Sequence, residues 1–535
     1  MSFSALRDRL FILLSLIKVH LDIQWNYINN INYIKYIDFC LIYRYTAFIN
    51  LKTFKRKAMS LPNIIIFTAD EMRGDCISIR GEVNSVIKTP NIDELAKDGV
   101  AFTTCFTVNP VCVPSRIGVF TGQYVHSSGH RSLYHLIQPY EENLFKFLKE
   151  KGYEVIYIGR NDTLSKEAFK LSVTRRVTVN FPIKWKTNPF PKEHRLRKSF
   201  YYGERTKEEA KDRDSNVIKK AIKYLESSPN KPFCLFIGLS FPHPPYTVEE
   251  PYFSMHDREK VPFPKAAKFN DKPKFMELIH KRYGLDRLTI EDYKEIVATY
   301  YGMVSKVDHQ LGQIVNSLKK FNQYDNSAIF FFSDHGDFTG DYGLTEKWPN
   351  AFQDSLIRIP LIIKLPNTTV KNLTDDHLIE NIDIFPTILE LAEVKTKYTH
   401  FGKSLLPLIN GNADFHRKFV FSEGGYNPRE PQCFEIVFKD PDAIGFGIYY
   451  DKTNIPEEDP TTVSRSVMIR NKDWKLILRD HGLEELYDLK SDPNELENLI
   501  ENKNHKQTIL DLKEILLRWY LRTSDNPDWR RERII

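Results

Sequence analysis

The stretch Asn63-Ile-Ile-Ile-Phe-Thr-Ala-Asp70 is an apolar run that ends on a carboxylate. Its β-branched and aromatic residues are typical of a strand buried on both faces of a parallel sheet. Similar runs alternate with helical patterns such as Met303 to Leu318, where apolar residues recur at steps of three and four. The predicted strands are Asn63 to Thr68, Glu154 to Ile158, Phe233 to Leu239, Ala328 to Phe332, Leu361 to Lys364 and Phe419 to Phe421. The sequence therefore predicts an α/β fold whose mostly parallel central sheet is flanked by helices.

Polar side chains follow three of these strands directly. Asp70 and Glu71 close the first strand, His243 follows the third, and Asp334 and His335 follow the fourth. Ligands of parallel sheets bind at the carboxyl ends of the strands, so these residues are expected at one edge. Carboxylate oxygens in that place suit a hard divalent cation such as Ca²⁺ or Mg²⁺. For Glu71 a helix cap or an ion pair is an equally open alternative.

A second informative stretch is Cys112-Val-Pro-Ser-Arg116, followed by Thr121-Gly122. Proline favours the first helical position, and Gly122 is a natural stop about two turns later. Cys112 is therefore predicted just before a helix N-terminus, where free N–H groups and the helix dipole attract anions. Arg116 follows one turn later and should face the same side. A buried structural cysteine in a turn is the alternative for Cys112.

These stretches resemble the type I sulfatases of the alkaline phosphatase superfamily, whose signature Cys-x-Pro-Ser-Arg-x-x-x-x-Thr-Gly matches Cys112 to Gly122. Further matching segments occur in the family's order: NIIIFTAD (63–70), TPNIDELAKDGVAF (89–102), FPHPPY (241–246), SDHG (333–336) and ELYDLKSDPNELENL (485–499). The resemblance covers about residues 62 to 499. It implies an alkaline-phosphatase-like fold, a sulfuric ester hydrolase, and conversion of Cys112 to formylglycine by a maturation enzyme.

The resemblance also implies roles for single residues. It implies one divalent cation, Ca²⁺ first and Mg²⁺ or Mn²⁺ as alternatives, with ligands at Asp70, Glu71, Cys112, Asp334 and His335. Arg116 would fix the anionic nucleophile, and His243 would bind the sulfate group. Lys347 would contact the sulfate or its leaving oxygen.

Two departures from the common sulfatase pattern bear on the substrate. Asp334-His335 stands where many sulfatases have Asp-Asn, and is more like the choline sulfatase and phosphonate monoester hydrolase branches. Gly159-Arg160-Asn161-Asp162 stands where many have Gly-Lys-x-His, in which the lysine and histidine contact sulfate. Arg160 can replace the lysine in binding substrate as a bidentate donor. Asp162 would repel a sulfate unless it points at the cation, at Arg160 or at another group of the substrate.

The expected function is hydrolysis of an organic sulfate monoester, either a sulfated sugar or another small alcohol. A phosphonate monoester or phosphodiester hydrolase on the same scaffold is the alternative, favoured by His335 and the altered corner at residues 160 to 162. A third hypothesis is a non-catalytic binding protein that retains the fold. It would be favoured if Cys112 stayed unmodified and no metal bound.

Charge and cysteine usage exclude other partners and sites. The net charge is +6, and residues 1 to 58 account for all of it with nine Lys/Arg and three Asp/Glu. The remaining chain is neutral overall, so no nucleic-acid partner is expected. Five of the six cysteines lie beyond residue 58 without paired spacing. We therefore expect neither disulfides nor a cysteine-based zinc site, and a reducing, cytoplasmic location.

Three segments are predicted along the chain. Residues 1 to 58 form an atypical extension without Gly, Pro or Glu, and their apolar run Leu10 to Ile17 is too short to span a bilayer. A signal or anchor in that extension stays open. Residues 59 to 442 are expected to form the catalytic α/β domain. Residues 443 to 535 predict a smaller α+β domain whose antiparallel sheet and following helix come from Ser466 to Ile469, Trp474 to Leu478, Glu485 to Leu489 and about Glu501 to Leu521.

Overall fold

A computed structural model describes residues 61 to 525, apart from 81–85, 178, 180–186, 368–369, 371–372, 435, 437 and 444–446. The predictions for residues 1 to 58 lie outside the described residues. The described residues belong to one unit by their internal contacts. No described helix has both the length and the apolar character that crossing a membrane requires.

Strands and helices alternate along most of the described chain. The strands are β1 (Asn63–Asp70), β2 (Val100–Phe106), β3 (Glu154–Gly159), β4 (Arg175–Val177), β5 (Tyr201–Arg205), β6 (Phe233–Pro242), β7 (Tyr246–Glu249), β8 (Ser327–Ser333), β9 (Arg358–Lys364), β10 (Leu373–Asp375), β11 (Ile379–Glu380), β12 (Val420–Gly424), β13 (Ser466–Arg470), β14 (Trp474–Arg479) and β15 (Glu485–Asp488). The helices are α1 (Pro90–Lys97), α2 (Cys112–Thr121), α3 (Val125–Ser128), α4 (Leu144–Glu150), α5 (Lys166–Ser172), α6 (Arg213–Glu226), α7 (Lys274–Arg282), α8 (Ile290–Lys320), α9 (Asp354–Ile357), α10 (Ile384–Leu391), α11 (Leu406–Ile409), α12 (Tyr450–Glu458) and α13 (Lys506–Thr523).

The central sheet has the order β10-β2-β9-β8-β1-β6-β3-β4, with β11 also paired to β2. Strand β1 lies between β6 and β8 and is parallel to both. Within the described sheet, β9 is the strand that runs antiparallel to its neighbours. This arrangement confirms the predicted mostly parallel sheet, but the interpretation of Leu361 to Lys364 as a parallel strand was wrong, because this run lies in β9.

Strand β1 is buried on both faces, as its continuous apolar sequence predicted. Ile65 and Phe67 belong to one hydrophobic cluster, which also contains Val304 of α8. Ile64 and Ile66 belong to another, which also contains residues of α2, α4 and α10. Successive strand residues thus face opposite helical layers. The observed helix α8 contains the predicted segment 303–318 and extends beyond it at both ends.

The last four strands form a separate antiparallel sheet in the order β12-β13-β14-β15. This sheet and helix α13 confirm the C-terminal elements that the sequence predicted. Assigning Phe419 to Phe421 to the parallel sheet was wrong, because Val420 pairs antiparallel with Arg470 of β13. A short apolar run identifies a strand without identifying its partner. Strand β12 precedes the predicted boundary at residue 443, and the division into residues 59–442 and 443–535 stays a prediction.

Candidate active site

The central residues of the site lie at the ends of two parallel strands and at the start of one helix. Asp70 is the last residue of β1, and Asp334 follows β8 directly. The register of these strands pairs Ala69 with Ser333, so the two carboxylates leave the sheet side by side. Cys112 is the first residue of α2, and it is 1% exposed. The strand-end rule therefore predicted correctly where Asp70 and Asp334 meet.

The helix start differs in detail from the expectation. Cys112 is the first helical residue rather than the residue before the helix, and Pro114 is the third residue of α2. Gly122 ends the helix in the left-handed conformation with φ of 69°, as its role as a stop requires. Ser115 fixes this helix to the sheet because its hydroxyl donates to the carbonyl oxygen of Asp334 at 2.7 Å.

Four buried groups converge on one point. Asp70, Cys112, Asp334 and His335 each offer one ligand atom, and these atoms lie within 4.8 Å of one another. The Cys112 Sγ lies 3.6 Å from the Asp70 Oδ1 and 3.2 Å from the His335 Nε2. Here the thiol stands in for the oxygen that formylglycine would present. Two carboxylates, an imidazole and that oxygen fit a small divalent cation.

The orientation of His335 suits a ligand role. Its Nδ1 lies 2.8 Å from the carbonyl oxygen of Gly336, so this nitrogen carries the proton and Nε2 turns its lone pair to the cluster. Burial lowers the pKa of His335 to about 4, although Asp334 opposes the shift. The imidazole is therefore neutral at neutral pH.

Glu71 is turned toward a different set of groups. Its backbone has a positive φ of 68°, and its N–H donates to the Asp334 Oδ1 at 3.0 Å. Its Oε2 accepts from the Lys347 ammonium at 2.7 Å and lies 3.4 Å from the His243 Nε2. The structure groups its carboxylate with Asp70 and His243, and its role as a cation ligand stays a prediction.

Two arginines neutralise the central carboxylates. Arg116 donates from Nε to the Asp334 Oδ2 at 2.8 Å and from a terminal nitrogen to the Asp70 Oδ2 at 2.9 Å. Arg160 donates to the same Asp70 oxygen at 2.5 Å. Asp162 contacts the Arg160 Nε and lies 3.9 Å from Arg116. The Asp162 carboxylate thus points at Arg160. This is one of the arrangements in which Asp162 would not repel a sulfate.

The pKa values of the two aspartates shift in opposite directions. Burial raises the pKa of Asp70 to about 6, against the opposing effect of Arg160 and Arg116. Burial would also raise the pKa of Asp334, but Arg116 and His335 bring it below its ordinary value. Asp334 is the firmer anion of the pair because Arg116 Nε and two backbone N–H groups donate to it.

Lys347 and His243 lie together on the side of the site marked by Glu71. The Lys347 ammonium donates to Glu71, and it lies 3.1 Å from the His243 Nε2. Burial lowers the pKa of His243 well below its ordinary value, and Lys347 and Arg160 act in the same direction. Burial disfavours the charge on Lys347, but Glu346 and Glu71 outweigh it and raise its pKa well above the ordinary value. The pair is thus a neutral imidazole beside a permanent cation.

Sequence reasoning missed two residues next to Lys347. The Glu346 carboxylate accepts from the backbone N–H and from the ammonium of Lys347, and it also accepts from the Lys452 ammonium. Glu346 could have been noticed as the neighbour of a candidate residue. Lys452 belongs to no motif quoted from the sequence and lies far downstream, so no signal pointed to it.

A model of the sulfatase family matches residues 62–394 of this chain. The chain belongs to the sulfatase family. Residues 437–521 match a second model, described as the C-terminal part of N-sulphoglucosamine sulphohydrolase. The protein is a sulfuric ester hydrolase of the alkaline phosphatase superfamily, as the resemblance of its motifs implied.

Named relatives cover nearly the whole chain. An arylsulfatase of Clostridium perfringens is 25% identical in an alignment of 509 positions that covers 85% of this chain and 94% of the relative. An N-acetylglucosamine-6-O-sulfatase of Bacteroides thetaiotaomicron is 23% identical, with 89% of each chain covered. The crystal structure of a phosphonate monoester hydrolase of Agrobacterium radiobacter superposes with a TM-score of 0.67 at 22% identity and covers 86% of this chain and 96% of its own. That likeness shows a shared fold.

Proposed function

We propose that this sulfatase hydrolyses an organic sulfate monoester with a formylglycine nucleophile at position 112 and one divalent cation. The observation that carries the proposal is the convergence of Asp70, Cys112, Asp334 and His335 within 4.8 Å at the start of α2. A maturation enzyme that converts the Cys112 side chain to an aldehyde is part of the proposal.

The residues around position 112 would divide the work of binding and reaction. Asp70, Asp334 and His335 would hold the cation, with Glu71 as a further candidate. When bound, the cation would polarise the sulfuryl oxygens and so favour attack at sulfur. Arg116 donates to the Oδ2 atom of both carboxylates and fixes their orientation.

The hydrated aldehyde would carry two hydroxyl groups on one carbon. Oxygen of the first hydroxyl attacks sulfur, the bond from sulfur to the alcohol oxygen breaks, and a covalent sulfate ester forms at residue 112. The second hydroxyl, once deprotonated, re-forms the carbonyl and breaks the bond between carbon and the sulfate oxygen. Sulfate leaves, and water hydrates the aldehyde again. A serine has no second hydroxyl and could not take that step.

Lys347 would act on the alcohol that leaves. Its raised pKa keeps the ammonium charged, and a charge aimed at a developing alkoxide stabilises it. Arg160 would bind the sulfate oxygens, since Asp162 holds its Nε and leaves the guanidinium edge beside Asp70 facing the site. His243 completes this side of the proposed sulfate pocket.

A sulfated sugar is the substrate class we favour, supported by the N-acetylglucosamine-6-O-sulfatase among the relatives. His335 and Arg160-Asn161-Asp162 favour the second candidate, a phosphonate monoester or phosphodiester hydrolase. The two candidates share one site and differ in the group that is bound.

Two measurements test the proposal. The protein is coexpressed with a formylglycine-forming enzyme, and the peptide containing Cys112 is examined by mass spectrometry with an aldehyde-reactive probe. We expect an aldehyde, and a free thiol under conditions where a known sulfatase matures would contradict the nucleophile. The matured protein with Ca²⁺ is then assayed on aryl sulfate, sugar sulfates, choline sulfate, a phosphodiester and a phosphonate monoester. Higher kcat/KM on sulfates is expected, whereas preference for the diester or phosphonate would establish the second candidate.

A further inference from the structure

Glu346 is a fully buried carboxylate that connects two lysines beside the site. Its Oε1 accepts from the Lys347 ammonium at 2.9 Å and from the Lys452 ammonium at 2.8 Å. Its Oε2 accepts from the Lys347 backbone N–H at 2.8 Å and from Lys452 again at 2.6 Å. The backbone of Glu346 has a positive φ of 63°, which aims the side chain back at its own neighbour.

Lys452 reaches Glu346 from a distant part of the chain. It lies in the first turn of α12, 106 residues after Glu346, and it is 4% exposed. The residue that precedes this helix, Tyr449, donates its hydroxyl to the carbonyl oxygen of Pro244 at 3.4 Å, and its ring centroid lies 6.5 Å from that of His243. The start of α12 therefore packs against the loop that carries His243, beside Lys347.

The charges explain what Lys452 does for Lys347. The Lys347 ammonium is shared between Glu71 and Glu346, and its raised pKa reflects both carboxylates. Lys452 donates to both carboxylate oxygens of Glu346, so this carboxylate is neutralised by a second cation besides Lys347. Without Lys452, the uncompensated charge of Glu346 would draw Lys347 toward itself and away from the sulfate pocket, because buried charges interact strongly at short range.

We propose that Lys452 is a positioning residue, which acts through Glu346 to keep the ammonium of Lys347 directed at the leaving oxygen of the sulfate ester. This inference rests on the proposed function, in which Lys347 contacts that oxygen. It makes helix α12, which lies in the part matched by the C-terminal family model, a component of the catalytic machinery.

A purely structural role for Lys452 has a different signature. If Lys452 only ties α12 to the core, its loss multiplies the activity on every substrate by the same factor, the fraction of protein that stays folded. If Lys452 positions Lys347, the loss depends on how much charge develops on the leaving oxygen. Poor leaving groups then suffer more than good ones.

The test uses the full-length matured protein with Ca²⁺ and a series of aryl sulfates whose phenols range from strongly to weakly acidic. In Lys452→Met we expect kcat to fall about 100-fold for the least acidic phenol, as for a misplaced catalytic group. For the most acidic phenol we expect a loss of about tenfold or less, since less charge needs stabilisation. Lys452→Arg should restore most of the activity, because it keeps the cation.

Two controls separate positioning from stability. Lys272 is also 4% exposed and donates to the Tyr487 hydroxyl and the Glu495 carbonyl oxygen, away from the site. Lys272→Met should leave kcat unchanged for all phenols once the folded fraction is taken into account. Combining Lys452→Met with Glu346→Gln removes both charges and should recover part of the lost activity.

Each outcome decides a separate point. An unchanged dependence on the phenol in Lys452→Met, or a double variant no better than the single one, overturns the inference. If Lys452→Met fails to fold, Lys452→Gln, which removes the charge and keeps a hydrogen-bond donor, carries the same comparison. Lys347→Met is measured beside them. A Lys347→Met variant that keeps the wild-type dependence contradicts the role of Lys347 in the proposed function, whereas a steep change there together with a flat Lys452→Met contradicts the inference alone.

Discussion

Replacing Arg116 by glutamine removes the cation that holds both central carboxylates. Arg116 is 1% exposed and donates to Asp334 at 2.8 Å and to Asp70 at 2.9 Å. Removing one partner of a buried ion pair costs about 3–5 kcal/mol because the other charge is left uncompensated. The Tm shift for each kcal/mol becomes smaller as a domain becomes longer, and for a unit of this length it is about 1–2 °C. We therefore expect the Tm of the metal-free Arg116→Gln variant to be roughly 5 °C below that of the metal-free wild type.

Added Ca²⁺ should reverse part of this loss. A bound cation neutralises the same two carboxylates, so it replaces some of what Arg116 supplied. The rise in Tm between excess chelator and excess Ca²⁺ should therefore be larger in Arg116→Gln than in the wild type. Thermal unfolding of both proteins in both conditions measures the two differences directly.

Arg417 provides a matched control. It is also buried against two carboxylates, binding Glu380 at 3.1 Å and contacting Asp383, but these residues are not part of the candidate cation site. Arg417→Gln should lower Tm by a similar amount in chelator, and Ca²⁺ should raise its Tm no more than that of the wild type. The reasoning is refuted if Arg116→Gln melts like the wild type in chelator, or if Ca²⁺ rescues both variants equally.

Two further predictions concern cation affinity and acid stability. Calorimetric titration with Ca²⁺ should show that Asp334→Asn loses most of the cation affinity. Glu71→Gln should lose less, since the Glu71 carboxylate already binds a lysine. Unchanged Ca²⁺ binding in Asp334→Asn would contradict the proposed site. Burial lowers the pKa of His256 to about 4 from an ordinary value of 6.5. The unfolded chain therefore binds more protons between these values, so this stability is present above pH 6.5 and is lost as pH falls toward 4, by up to about 3 kcal/mol. His256→Gln should flatten the fall of Tm from pH 7 to 4, and an acid loss as steep as in the wild type would contradict this origin.

The sequence predicted those parts of the site that follow from backbone rules. Asp70 and Asp334 were expected together because parallel strands end at one edge, and the pairing of β1 with β8 does bring them together. Cys112 was expected at the anion-binding end of a helix, and it is one residue from the predicted position. These expectations needed only strand periodicity and helix-stop chemistry.

Long-range pairings could not be predicted in the same way. The run at Phe419 to Phe421 was recognised as a strand, but its antiparallel partner lies in β13. The direction of the Glu71 side chain depends on a positive φ, which nothing in its residue type specifies. The contact of Lys452 with Glu346 joins parts of the chain 106 residues apart by charge alone. Register, backbone strain and buried ion pairs are properties of the assembled fold.

The burial of Cys112 has a consequence for the order in which the protein would be modified and folded. Cys112 is the first residue of α2 and is 1% exposed, and its thiol lies beside Asp70, which two arginines bind. The maturation enzyme proposed for Cys112 would have to reach this thiol, so its burial implies that modification precedes the docking of α2 onto the sheet. Modification and folding would then compete in time, and a chain that folded first would keep its thiol. Slow folding would then raise the yield of active protein rather than lower it.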